Sequence, residues 1–211
     1  MNEKIISNIC FMYSYVVAFL LLFASPQDLP SWELAVASES GIYFFNTERK
    51  ELINAEDVPE SNNSYVLTYD SFWKRIFFGI ESNIYVYNMT EKIVLPIVEG
   101  QEFEIQGMDY DKGTETLYWA DGNGHTIWKL PLSNDSKTIE PVLKFEKDVP
   151  NGVAISFCKR LLFWTNSNHR SASIDRAQLD GSEHEKIIVD DIFVPLGITV
   201  DDLYQKLYWT E

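Results

Sequence analysis

Tyr118-Trp119-Ala120-Asp121, Phe163-Trp164-Thr165-Asn166 and Tyr208-Trp209-Thr210-Glu211 are copies of one pattern, an aromatic pair followed by a small and a polar residue. A degenerate fourth copy stands at Phe77-Phe78-Gly79-Ile80. The second aromatic falls at 78, 119, 164 and 209, in steps of 41, 45 and 45 residues. A second element precedes each pair: Val66-Leu67-Thr68-Tyr69-Asp70, Gly107-Met108-Asp109-Tyr110-Asp111, Gly152-Val153-Ala154-Ile155-Ser156 and Gly197-Ile198-Thr199-Val200-Asp201. Two motifs that keep one period over four copies mark a repeat architecture.

Each unit reads as strands. The upstream element alternates or is apolar, and a polar turn separates it from the aromatic pair. A third run follows at Ile84 to Tyr87, Ile127 to Leu130 and Ile174 to Leu179. A fourth lies at Lys92 to Leu95, Ile139 to Leu143 and Lys186 to Val189. Asp180-Gly181 between two such runs predicts a hairpin turn, since Gly tolerates positive φ. No unit shows the 3.6-residue period of a helical solenoid. Four strands in 40–45 residues predict an all-β propeller of four-stranded blades, about four of them in this chain.

The repeated quartet resembles the YWTD repeat of the low-density-lipoprotein receptor class B family. Pro150-Asn151-Gly152-Val153-Ala154 and Pro195-Leu196-Gly197-Ile198 fit that family's first strand, and Leu179-Asp180-Gly181 its turn between third and fourth strands. The resemblance runs from Trp32 to Glu211 and implies a six-bladed propeller with the motif on the second strand of each blade. Two further blades are then expected beyond Glu211. Among members of the family, the chain is most similar to single-pass membrane proteins with a propeller followed by EGF-like modules. They are linked to germ-cell development in both sexes, spermatogenesis and oogenesis. An extracellular position, type I topology and a non-enzymatic recognition role are implied with them.

The N-terminus carries Lys4 and then an apolar run from Ile9 to Phe23 broken only by Ser14. That is the length of a signal-peptide core and short for a membrane span. Residues 1–24 are therefore read as a signal peptide, with an uncleaved anchor as the alternative, and 25–211 as an incomplete propeller. Residues 32–46 read as edge strands that would close the ring. Behind such a leader the sequons at Asn62, Asn88 and Asn134 become glycosylation candidates. The formal charge is −15, which argues against a nucleic-acid binder or an anionic membrane surface, both of which call for a basic face.

Nothing in the sequence looks catalytic. The Tyr and Trp residues could form a carbohydrate platform, but their fixed phase in the repeat assigns them to the wedge between blades. The motif's Asp or Asn is expected to accept backbone hydrogen bonds from the next blade. Cys158 is read as a structural thiol, or one paired outside this sequence, and His125, His169 and His184 as isolated surface residues. A propeller hydrolase holding calcium in its channel would require several converging carboxylates or amides. Asp109 and Asn151 lie near the inner strands but at different offsets in the repeat. A secreted matrix adhesion protein is the other alternative. No cofactor or metal is expected.

The candidate site is an acidic rim. Glu102, Glu104, Glu146, Asp148, Asp190 and Asp191 all precede first strands, and a propeller gathers such blade-to-blade connections on one face. Phe103, Val149 and Phe193 on the same connections would supply apolar anchors. The expected partner is a protein or peptide ligand with a basic segment, with membrane contact only through a transmembrane helix outside this sequence.

Overall fold

The computed structural model describes residues 18–21, 34–46, 51–53, 58–102, 104–133 and 138–211. The first sheet holds β1 (Ala18–Leu21), β2 (Leu34–Ser38), β3 (Gly41–Asn46) and β4 (Glu51–Ile53). The second holds β5 (Ser64–Asp70), β6 (Arg75–Ile80), β7 (Asn83–Asn88) and β8 (Ile93–Val98), and the third β9 (Ile105–Asp111), β10 (Thr116–Asp121), β11 (Thr126–Pro131) and β12 (Glu140–Lys144). The fourth holds β13 (Pro150–Ser156), β14 (Leu161–Asn166), β15 (Ser173–Gln178) and β16 (Glu185–Ile188). A two-stranded sheet, β17 (Ile198–Asp201) and β18 (Lys206–Trp209), ends the series.

Every sheet is an antiparallel meander in chain order. Successive sheets meet through their first strands, β1 on β5, β5 on β9, β9 on β13 and β13 on β17. This is the propeller arrangement, with four four-stranded blades and the first half of a fifth. Residues 32–46 correct the sequence expectation. Those that form β2 and β3 are the middle strands of the first blade, not its edge, because β1 pairs Ala18 with Ala37 and Leu21 with Leu34. β1 itself falls within the expected leader, whose other residues lie outside the described ones.

The aromatic pairs fill the wedges between blades, one ring to each side. Phe78 packs with Ala35, Ala37 and Phe44 of the first blade, whereas Phe77 faces Met108, Leu117 and Trp119 of the third. Trp119 faces back to the second blade and Tyr118 forward to Val153, Leu162 and Trp164 of the fourth. Trp119 and Trp164 are wholly buried. Removing 150–250 Å² of ring surface contributes on the order of 4 kcal/mol each before entropy is counted.

Close backbone approach at the inner strands explains the repeated glycine. A Cβ on Gly107 would lie 2.4 Å from Asn151 O, and one on Gly152 would lie 2.3 Å from Leu196 O, each on the next blade. Gly181 adopts φ +87° in the expected turn.

Candidate functional site: the two rims of the propeller

Antiparallel order places the blade-to-blade connections and the second-to-third strand turns at one end of the blades. The first hairpin turns lie at the other. Glu102 and Glu104 are exposed on the β8–β9 connection, Glu146 is exposed and Asp148 half-buried on β12–β13, and Asp190 and Asp191 are exposed on β16–β17. Asp148 is already engaged, accepting from Lys186 Nζ at 2.8 Å and Ser171 Oγ at 3.3 Å. Asp191 is held at φ 52°. Of the apolar companions, Phe193 is 72% exposed, Val149 is tied through its N–H to Asn166 Oδ1 at 2.9 Å, and Phe103 lies outside the described residues.

Glu102 faces a concavity. A cleft of about 360 Å³ is lined by Gln101, Glu102, Asp121, Trp128, Lys144 and Phe145 among others. Burial raises the pKa of Asp121, opposed by the Gly124 N–H and reinforced by the charge of Glu102. The Gly124 N–H donates to Asp121 Oδ1 at 2.6 Å.

The motif's polar residue serves its own blade, which corrects the expectation that it reaches the next one. Asp121 caps the β10–β11 turn. Asn166 Oδ1 accepts from Val149 N and Asn168 N, and its Nδ2 donates to Ser171 O at 2.7 Å. The link to the following blade comes from the residue before it. Thr165 Oγ1 donates to Leu196 O at 2.6 Å and accepts from Gly152 N at 2.8 Å. Glu211 Oε1 accepts from Trp209 Nε1.

Asp109 joins three inner strands. Its Oδ1 accepts from Thr68 Oγ1 on β5 and from Tyr110 N, and its Oδ2 accepts from Ile155 N on β13. Burial pushes its pKa up to about 6 against the lowering effect of those donors. Both oxygens are therefore committed to the protein, which makes this carboxylate a strut between blades.

Two histidines depart from the isolated surface reading. His184 Nε2 lies 2.7 Å from Oδ2 of the fully buried Asp175, with its ring 5.0 Å from that of Trp164. His125 Nδ1 lies 2.8 Å from Asp148 O. His169 is exposed. Cys158 is a free exposed thiol in the β13–β14 turn. Asn62 is exposed before β5 and Asn88 is half-buried at the end of β7, while Asn134 lies outside the described residues. Among the described residues no helix is long and apolar enough to cross a membrane.

A shared turn geometry went unread in the sequence. At the opposite rim Asp70, Asp111, Ser156 and Asp201 end the first strands and cap the turns that follow, through bonds from Phe72 N and Trp73 N, Gly113 N, Lys159 N and Tyr204 N. The residue before each second strand, Lys74, Glu115, Arg160 or Gln205, has φ between 49° and 58°. Arg160 donates from both terminal nitrogens to the buried Asp111, at 2.7 and 2.6 Å. Burial alone would raise the Asp111 pKa, but Arg160, Thr114 and Gly113 N–H outweigh it and hold it below the ordinary carboxylate value. The signal was present in the sequence as an Asp or Ser five residues before each second strand.

Comparison with known proteins agrees with this geometry. Residues 160–201 match the family model described as low-density lipoprotein receptor repeat class B. Protein cueball of Drosophila grimshawi is 27% identical over 186 residues, covering 85% of this chain and 30% of that protein. Protein cueball of Drosophila sechellia is 29% identical over 190 residues, covering 85% and 29%. The chain thus spans under a third of the length of these curated relatives. A chain of the crystal structure of the nidogen/laminin complex superposes with a TM-score of 0.75 at 18% identity, covering 84% of this chain and 69% of that one. The chain is a β-propeller segment in which residues 160–201 match the low-density lipoprotein receptor class B repeat, and it is similar in sequence to proteins named cueball.

Proposed function

We propose that this chain is the ligand-recognition propeller of an extracellular, non-enzymatic, receptor-like protein, and that it binds a protein or peptide with a basic segment. The proposal includes a leader over residues 1–24, whose cleavage would remove β1 and leave β2 as the inner strand of the first blade, glycans on the sequons Asn62, Asn88 and Asn134, and a type I membrane anchor outside this sequence. It also includes a role in germ-cell development, carried by the resemblance to cueball proteins alone.

The observation that carries the binding reading is the acidic side chains on successive blade-to-blade connections. Like charges on one rim raise the local potential, so a basic ligand associates faster and in a salt-dependent way. Exposed Phe193 beside Asp190 and Asp191 offers an apolar anchor that charge alone does not supply. The fold neighbour comes from a protein complex, nidogen with laminin, which suits a protein ligand.

The test exchanges Glu102, Glu104, Glu146, Asp148, Asp190 and Asp191 for their amides and measures binding of a synthetic Lys/Arg peptide with a Leu tip. The association rate should fall by about tenfold or more at low salt, with the difference shrinking as salt rises. Unchanged association in a variant with wild-type circular dichroism would leave the rim a solvated surface.

A further inference from the structure

We propose that the rim of first hairpin turns is a second docking surface, for an acidic protein segment with apolar side chains. It lies at the opposite end of the blades from the acidic connections. Turns normally carry Gly, Asn, Asp and Ser, yet three of the four here hold large apolar rings. Phe72 is 77% exposed, Trp73 52%, Phe157 43% and Tyr204 69%. Because the turns share the same cap and the same positive-φ position, Trp73 and Tyr204 stand at the same place, three residues after the cap, with Phe72 and Phe157 on the same rim.

Phe72, Trp73 and Phe157 are also held in place. Trp73 Nε1 donates to Glu115 Oε1 of the next blade at 3.4 Å, and Phe72 meets Trp73 edge-on at 4.9 Å. Lys112 Nζ sits 4.6 Å over the Phe157 ring, again across a blade boundary. The Ser156 hydroxyl and Cys158 N–H are both bonded to Asp202 of the following turn. An exposed aromatic array fixed this way has little rotamer freedom left to lose on binding, which is the property of an interface anchor.

Charge selects the occupant. In the turns of the second, third and fourth blades Lys74, Lys112, Lys159 and Arg160 stand against Glu115, whereas the last turn carries Asp202 beside its cap Asp201, so the cationic excess lies on the first three turns of a chain of formal charge −15. Arg160 is consumed by Asp111, which leaves the lysines to face solvent beside the rings. An anionic segment with aromatic or aliphatic side chains matches both features, and it would be repelled by the acidic rim. The two ends of the propeller therefore attract partners of opposite charge.

The experiment uses the intact secreted chain and three probes: a short peptide of alternating Glu and Leu with one Phe, the same peptide with Lys for Glu, and vesicles of anionic phospholipid. The Glu peptide should bind and change the Trp73 emission. Phe72→Ser with Trp73→Ser should weaken it at least tenfold, read by anisotropy of a labelled peptide, and so should Lys74→Glu with Lys159→Glu. The Lys74 position tolerates Glu, since Glu115 occupies the matching place with φ 49° against 51°, and wild-type circular dichroism is required of both double variants. Exchange of the six rim carboxylates for amides should leave Glu-peptide binding intact, which separates this surface from the first. Absence of Glu-peptide binding, binding insensitive to both double variants, or preference for the vesicles would overturn the proposal.

Discussion

Gly152→Ala tests how tightly the blades are sewn at their inner strands. The added Cβ would lie 2.3 Å from Leu196 O and 2.9 Å from Ile198 N, where ordinary contact begins at 3.4 Å. Both atoms are backbone, so β17 would have to retreat by about 1 Å to relieve the overlap. Retreat breaks two bonds to Leu196 O, from Gly152 N at 2.9 Å and Thr165 Oγ1 at 2.6 Å. Overpacking costs about 1–3 kcal/mol and each of the two lost bonds about 1, so the loss should be about 3–5 kcal/mol. For a chain of this size that lowers Tm by roughly 6–20 °C. Gly197→Ala is the control, because its Cβ would meet only Thr210 Oγ1 at 3.4 Å. There the stiffer unfolded chain should make the change neutral or stabilising by up to about 1 kcal/mol. Urea unfolding of both variants decides the matter. Equal shifts would refute the claim that backbone approach, rather than glycine's flexibility, fixes this position.

Trp164→Ala should cost roughly 3–5 kcal/mol in urea unfolding, because the ring is fully buried against Tyr118, Val153 and Leu162. The Asp109 pKa is raised from 3.8 to about 6, so its stabilising share is complete below pH 4 and fades as pH rises through 6. Wild type should therefore gain on the order of 1 kcal/mol relative to Asp109→Asn between pH 7 and 5, measured as the difference in their unfolding free energies. Asp111 has the opposite sign: its depressed pKa gives stability above pH 4 that is lost as pH falls through the folded value, and Arg160→Ala should weaken that acid sensitivity in the same titration. Glycosidase treatment of secreted material should raise gel mobility through loss of glycans from at least two of Asn62, Asn88 and Asn134.

Short apolar runs bounded by polar turns were legible as strands. Ile127 to Leu130 and Ile174 to Leu179 lie in or within a residue of β11 and β15. The first blade was harder to read, for a physical reason. β1 comes from an apolar run with no alternation, and apolarity alone cannot separate a leader core from an inner strand. The Asp175–His184 pair was hidden because its members sit on facing strands nine residues apart, a separation set by hairpin length rather than by any motif. The acidic connections were visible as composition, but composition does not show that Asp148 is spent on Lys186. The exposed rings of Phe72, Trp73 and Tyr204 were read among aromatics in general, since period alone does not tell a turn ring from a wedge ring.

The quartet itself divides its labour by direction. In Phe163-Trp164-Thr165-Asn166 the Trp ring packs backward on the third blade, the Thr hydroxyl reaches forward to Leu196 O, and the Asn carboxamide closes turns within its own blade. In Tyr118-Trp119-Ala120-Asp121 the forward link moves to the Tyr ring and its hydroxyl, which donates to Leu179 O at 3.2 Å, since Ala120 has no hydroxyl to offer. All of these atoms are consumed in holding blades together, so none is left for a ligand. On the proposed function, recognition resides where the repeat is not constrained, in the connections at one rim and the turn side chains at the other. The fixed period sets the spacing of both rims, while the residues that vary between copies set their charge. A ligand would therefore read the departures from the repeat and be blind to the repeat itself.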